Sequence, residues 1–253
     1  MRPGEWITMA NKLSLILAAT VTGTMLASGA VSAATVTASG GYSDPGSYMT
    51  GTISGVVNGV AGSGQAGIAR YLRTGGTATE TLLTNSPAGY FYAICLEFNE
   101  FTENPNYSWD LVGLTSAPND AGGSPGVPMS AARANDLARL LNGAYANWGS
   151  APADVTALQL AVWEIANEDS GTYNLGSGRI YFTTAPAASL TLAATYLANV
   201  KNGTFNDATM YYMALTDSTY QDFIVKTVPL PAAAWLLLSG LAGLGFVGRR
   251  KAA

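Results

Sequence analysis

From Val228 to Gly248 the chain reads VPLPAAAWLLLSGLAGLGFVG without one charged residue, and Arg249, Arg250 and Lys251 follow at once. An uncharged run of about 20 residues is long enough for a helix to cross the hydrocarbon core of a bilayer. A basic cluster just beyond such a run favours the cytoplasmic side. An amphipathic helix of a soluble domain would keep a polar face, and only Ser239 offers one here. The run predicts a membrane-spanning C-terminal helix, with the chain upstream of it on the outer side of that membrane.

The N-terminus carries a second apolar segment of a different kind. Glu5 and Trp6 precede any apolar run, so Met9 is the better physical start. Lys12 then supplies a positive flank, Leu13 to Leu26 an apolar core, and Val31-Ser32-Ala33 the small residues of a cleavage site. Residues 1–33 are therefore expected to be a signal peptide, and residues 34–227 one exported domain, large enough to bury a core.

Composition agrees with export. Between Ala34 and Val228 seven cations stand against fifteen acids, a net charge of −8. That balance argues against nucleic acid or an anionic lipid surface as partner. Histidine is absent.

Pattern reading gives an α+β domain: an antiparallel β-sandwich or barrel-like body with a three-helix insertion. Gly-broken runs over Ala34–Val60 predict short strands with turns at Asp44-Pro45-Gly46 and Asn58-Gly59. Ile68–Arg73 is a further strand. YFYAICLEF, Tyr90–Phe98, is the strongest strand signal, and Ser108–Leu114 is expected beside it. After a loop over Thr115–Pro128, Ser130 is placed to cap a helix ending at Asn142-Gly143. A second helix opens at Ser150-Ala151-Pro152 with Asp154 in its first turn and Val155, Leu158, Val162 and Ile165 on an apolar stripe. A short strand at Arg179–Thr183, a third helix over Pro186–Lys201, and strands at Ala208–Leu215 and Tyr220–Lys226 complete the domain.

Cys95 is the single cysteine. It cannot form an intramolecular disulfide, which leaves a buried apolar thiol, an intermolecular crosslink or a reactive group. With no histidine, a Cys–His hydrolase and a Cys/His zinc site are both excluded. Glu97, Glu100 and Glu103 read as a solvated edge rather than a calcium site. Glu168, Asp169 and Asn174 lack EF-hand spacing. No metal or cofactor is expected, and no carboxylate constellation supports a hydrolase.

Two stretches resemble known families. Val228-Pro229-Leu230-Pro231, the small-residue and leucine span, and Arg249-Arg250-Lys251 resemble the PEP-CTERM sorting signal of Gram-negative bacteria, with Leu230 where that family carries an acidic residue. The resemblance implies membrane insertion through the C-terminal helix, recognition by an exosortase, and delivery to the cell surface or extracellular matrix. Tyr92-Ala93-Ile94-Cys95-Leu96-Glu97, with Ala157-Leu158-Gln159-Leu160-Ala161-Val162-Trp163-Glu164 some 64 residues on, resembles the paired motifs of thioester domains on bacterial surface adhesins. It implies a Cys95–Gln159 thioester shielded by Tyr92 and Trp163, and covalent capture of an amine-bearing target, most simply through lysine. Such a protein is a single-use binder and not a turnover enzyme. The alternative from another class is a non-covalent structural component of biofilm matrix, with Cys95 an inert buried thiol.

Overall fold

The computed structural model describes residues 34–79, 81–82, 89–100, 106–118, 129–145, 154–206 and 211–228. The expected signal peptide, and the sorting residues Pro229, Leu230, Pro231, Arg249 and Arg250, lie outside them. No helix among the described residues is long and apolar enough to cross a membrane.

Six antiparallel strands close into a barrel, and the α+β expectation is met in that form. In chain order the strands are β1 (Ala34–Gly41), β2 (Tyr48–Val57), β3 (Val60–Gly75), β4 (Thr81–Leu82), β5 (Tyr90–Cys95), β6 (Asn106–Gly113), β7 (Ile180–Thr184), β8 (Tyr212–Thr216) and β9 (Phe223–Val228). The barrel runs β1-β6-β8-β9-β5-β3 and closes by pairing of β3 with β1. Closure leaves these six strands no free edge. The other half of the 16-residue β3 continues outward to pair with β2, which in turn pairs with β7.

Local signals account for much of this. Asn58 and Gly59 both have positive φ, 49° and 80°, as the two-residue turn joining β2 to β3 requires. The candidate strand at Ile68–Arg73 is the middle of β3. The segment at Ser108–Leu114 does form a strand, β6, but its neighbours are β1 and β8 rather than β5. Barrel closure inserts β1 on one side of it and β8 on the other, and adjacency in sequence is overridden. Val228, read from sequence as the start of the sorting motif, is the last residue of β9 and pairs with Thr81.

Rings from four strands fill the barrel. Tyr71 of β3 lies 5.1 Å from Trp109 of β6, 5.5 Å from Phe223 of β9 and 5.7 Å from Phe91 of β5, centroid to centroid. Rings from strands that are not neighbours, β3 with β6 and β9, thus meet across the barrel interior. Their edge-to-face and offset geometries are the favoured ones for aromatic pairs.

Between β6 and β8 come α1 (Ala131–Ala144), α2 (Val155–Asn167) and α3 (Ala187–Lys201), with β7 between the last two. Ser130 caps α1 by accepting from the Arg133 N–H, and the helix runs one residue past Asn142-Gly143. Every residue of α2 is buried. It is the central helix, packed on α1 and α3 and against β2, β3, β5 and β7. Asp154 is its N-cap rather than a first-turn residue: Oδ1 accepts from the Ala157 N–H at 3.0 Å, and Oδ2 accepts from Ser189 Oγ of α3 at 2.8 Å. One carboxylate therefore starts α2 and ties α3 to it. Asp154→Ala removes both contacts, and a loss of about 1–2 kcal/mol is expected, read as a lower urea midpoint with an unchanged slope.

Candidate functional site

The strand signal over Tyr90–Phe98 is right in kind but long by three residues. Hydrogen-bonded pairing in β5 ends at Cys95, opposite Phe223. Directly opposed residues share a face, so Cys95 turns inward with Phe223. Beyond it Leu96 still donates its N–H to the Asp222 carbonyl at 2.9 Å. Three successive carbonyls then receive donors from side chains of α2. Gln159 Nε2 donates to the Cys95 carbonyl at 2.8 Å, Asn167 Nδ2 to the Leu96 carbonyl at 3.1 Å, and Trp163 Nε1 to the Glu97 carbonyl at 3.0 Å. These donors recur every four residues, which puts them on one stripe of the helix.

Gln159 is thus placed on Cys95 itself. Its side chain is buried at 1% exposure, and its Oε1 has no hydrogen-bond partner among the described residues. A buried amide oxygen without a donor costs about 1–3 kcal/mol. The Cys95 thiol is also buried, and its Sγ shares a 2.9 Å hydrogen bond with Tyr42 Oη. Burial pushes the thiol up to about 12; the Tyr42 hydrogen bond opposes the shift and the Glu97 charge adds to it. Burial, together with the neighbouring Cys95, raises the Tyr42 hydroxyl well above its ordinary value. Both groups are protonated at neutral pH.

Tyr42 comes from the loop between β1 and β2, and Gly67 makes room for it. A Cβ at Gly67 would meet Tyr42 Cε1 at 2.8 Å and the Tyr48 carbonyl oxygen at 2.7 Å. Tyr92, expected from sequence to cover the bond, stands elsewhere. It pairs opposite Arg70, three residues from Cys95 along a strand of period two, and its ring stacks on Tyr48 with centroids 6.1 Å apart. The hydroxyl at the sulfur belongs to Tyr42 instead. Trp163 does stand one turn beyond Gln159, packed edge-on against Phe98 at 4.8 Å.

A cavity of about 310 Å³ reaches Cys95, with Tyr42, Glu97, Glu100, Trp163 and Gln221 among its walls. Glu97 is not a solvated edge, for it is 1% exposed. Its Oε2 accepts from the Asp222 N–H at 3.0 Å, while Gln221 Nε2 donates to the Glu97 carbonyl at 3.0 Å. Burial raises the Glu97 carboxyl strongly, with the Asp222 charge and the adjoining Glu100 carboxyl adding to it. Sequence reading missed Tyr42, Asn167 and Gln221 altogether. For Asn167 a signal existed: it continues the spacing of Gln159 and Trp163 by one more turn.

The second acidic group is structural. Glu168 accepts from the backbone N–H groups of Ser170 at 3.0 Å and Arg179 at 2.8 Å, which holds the loop before β7. Among the described residues no group of three His, Cys, Asp or Glu side chains could hold a metal ion. Comparison of the chain with family models, curated proteins and solved structures finds no match.

Glu164, on α2 beside this stripe, is fully buried and accepts from the Asn174 N–H. Burial pushes its carboxyl up to about 8, against the opposing pull of that N–H, and the Glu168 charge adds to the rise. An acid raised in the folded state is most favourable below its unfolded value near 4.3. Its contribution is then lost as pH climbs towards 8. Glu164→Gln should flatten the decline in urea midpoint between about pH 4.5 and pH 8 relative to the parent protein.

Proposed function

We propose that this is an exported surface or matrix adhesion protein that attaches covalently to amine-bearing targets through an internal Cys95–Gln159 thioester. The observation that supports the reading is the pairing of two otherwise inert groups: a buried carboxamide held on the cysteine residue, and a buried thiol that opens onto a cavity. Signal peptide, membrane-spanning helix and exosortase-sorted tail are the route by which such a binder reaches the cell surface.

The chemistry is a single acyl transfer followed by a single capture. The Cys95 sulfur attacks the Gln159 carboxamide carbon, the C–N bond breaks and ammonia leaves with the thiol proton. With the thiol near 12, only about one molecule in 10⁴–10⁵ is ionised at neutral pH. Held groups gain effective molarities on the order of 10⁵–10⁸ M, which covers that deficit for a reaction that runs once. Loss of ammonia takes away the donor on the Cys95 carbonyl. A lysine amine that later displaces the sulfur brings an N–H back to the same carbon, and the carbonyl regains a donor on capture.

The competing reading is a non-covalent matrix component. The observation that favours it is the same protonated thiol, hydrogen-bonded to Tyr42 and buried. Thiol counting separates the two. In denaturant at acidic pH, an intact thioester gives no labelling by a disulfide-exchange reagent active there, and methylamine treatment of the native protein restores one thiol. An inert thiol labels in denaturant from the outset and does not respond to methylamine.

A further inference from the structure

The cavity at Cys95 carries more chemistry than a thioester needs for its own formation. Glu97 lines it, 1% exposed, with Oε2 held by the Asp222 N–H and Oε1 without a hydrogen-bond donor among the described residues. Glu100 lines the same cavity and is the carboxyl beside Glu97. A buried acid and a half-buried one this close cannot both ionise freely. With Glu97 held protonated, the pair carries at most one negative charge. Apolar walls from Phe98, Trp163 and Met49 adjoin it, Met49 being 42% exposed near the opening. An apolar stem with a single cationic tip fits that arrangement, and a lysine side chain has that form.

We propose that the Glu97–Glu100 pair is the receptor for the incoming primary ammonium and takes its proton before attack, which selects amines over hydroxyls at this site. The inference rests on the thioester reading above. An ammonium cannot attack, because its nitrogen lone pair is occupied by the proton. One proton passes from the ammonium to the carboxylate of the pair, and the freed nitrogen attacks the Gln159 carbonyl carbon. The C–S bond breaks, the nitrogen's surplus proton goes to the sulfur, and Cys95 returns as a neutral thiol. The pair then releases its extra proton to water. A hydroxyl nucleophile brings no positive charge to hold and gains nothing from the pair.

The test uses the purified protein and compares two nucleophiles by mass: methylamine, a cation at neutral pH, and hydroxylamine, which is uncharged there. Glu100→Gln keeps shape and removes the charge of the pair, whereas Glu97→Gln replaces a protonated carboxyl and leaves that charge in place. Glu100→Gln should slow methylamine adduct formation about tenfold or more, within the range of general-base effects, and leave the hydroxylamine rate within about twofold, while Glu97→Gln should change neither rate by as much. Trimethylammonium, whose free amine has no N–H to lose and so forms no stable amide, should slow methylamine but not hydroxylamine in the unaltered protein, a measurement that needs no variant to fold. Equal slowing of both nucleophiles by Glu100→Gln, or no effect of it on methylamine, overturns the assignment while the thioester stands. An unaltered protein that forms no adduct with either nucleophile removes the thioester reading and this assignment together.

Discussion

Three consecutive backbone carbonyls, those of Cys95, Leu96 and Glu97, depend on the side chains of one helix. Leaving a buried carbonyl without a donor costs about 1–3 kcal/mol. Glu97 has a second donor in Gln221, but the Cys95 and Leu96 carbonyls rely on Gln159 and Asn167. Set against a total stability of roughly 5–15 kcal/mol, that dependence fixes where α2 lies and how it is rotated. The helix is buried on every side, and its polar side chains find their partners on the segment that follows β5.

The reactive arrangement follows from that constraint. Gln159 is brought to Cys95 because the end of a barrel strand needs a donor there. Gln159 is therefore a structural residue first, and the proposed thioester would use a carboxamide the fold already holds at Cys95. The barrel supplies the other half. Phe223 opposite Cys95 turns the thiol inward, and Tyr42, admitted by Gly67, meets the sulfur. The carboxamide and the thiol are thus each positioned by groups whose own places are settled by packing.

Local sequence signals carried far into this fold. Asn58-Gly59 announced its hairpin through two positive φ values, Ser130 its helix, and the Gln159–Trp163 interval the stripe that faces the strand end. The strand order did not follow from such signals, because barrel closure pairs β3 with β1 and puts β6 between β1 and β8. Tyr42 and Gln221 were out of reach for the same reason: they meet the Cys95–Glu97 segment only through register, 53 and 124 residues away. The burial of Glu97 was hidden too, since three acids within seven residues look solvated in the sequence and only the fold encloses Glu97. Tyr92 is different. The period of two along a strand already sets it on the face opposite Cys95, and motif resemblance overrode that elementary rule.

Intact mass reads the proposed covalent bond between Cys95 and Gln159 directly. The purified protein should be compared with its Cys95→Ala variant, so that any processing of the termini cancels. Beyond the mass of the replaced side chain, the unaltered protein is predicted to be lighter by one ammonia. A difference equal to the side-chain replacement alone would contradict that bond and leave Cys95 a buried free thiol.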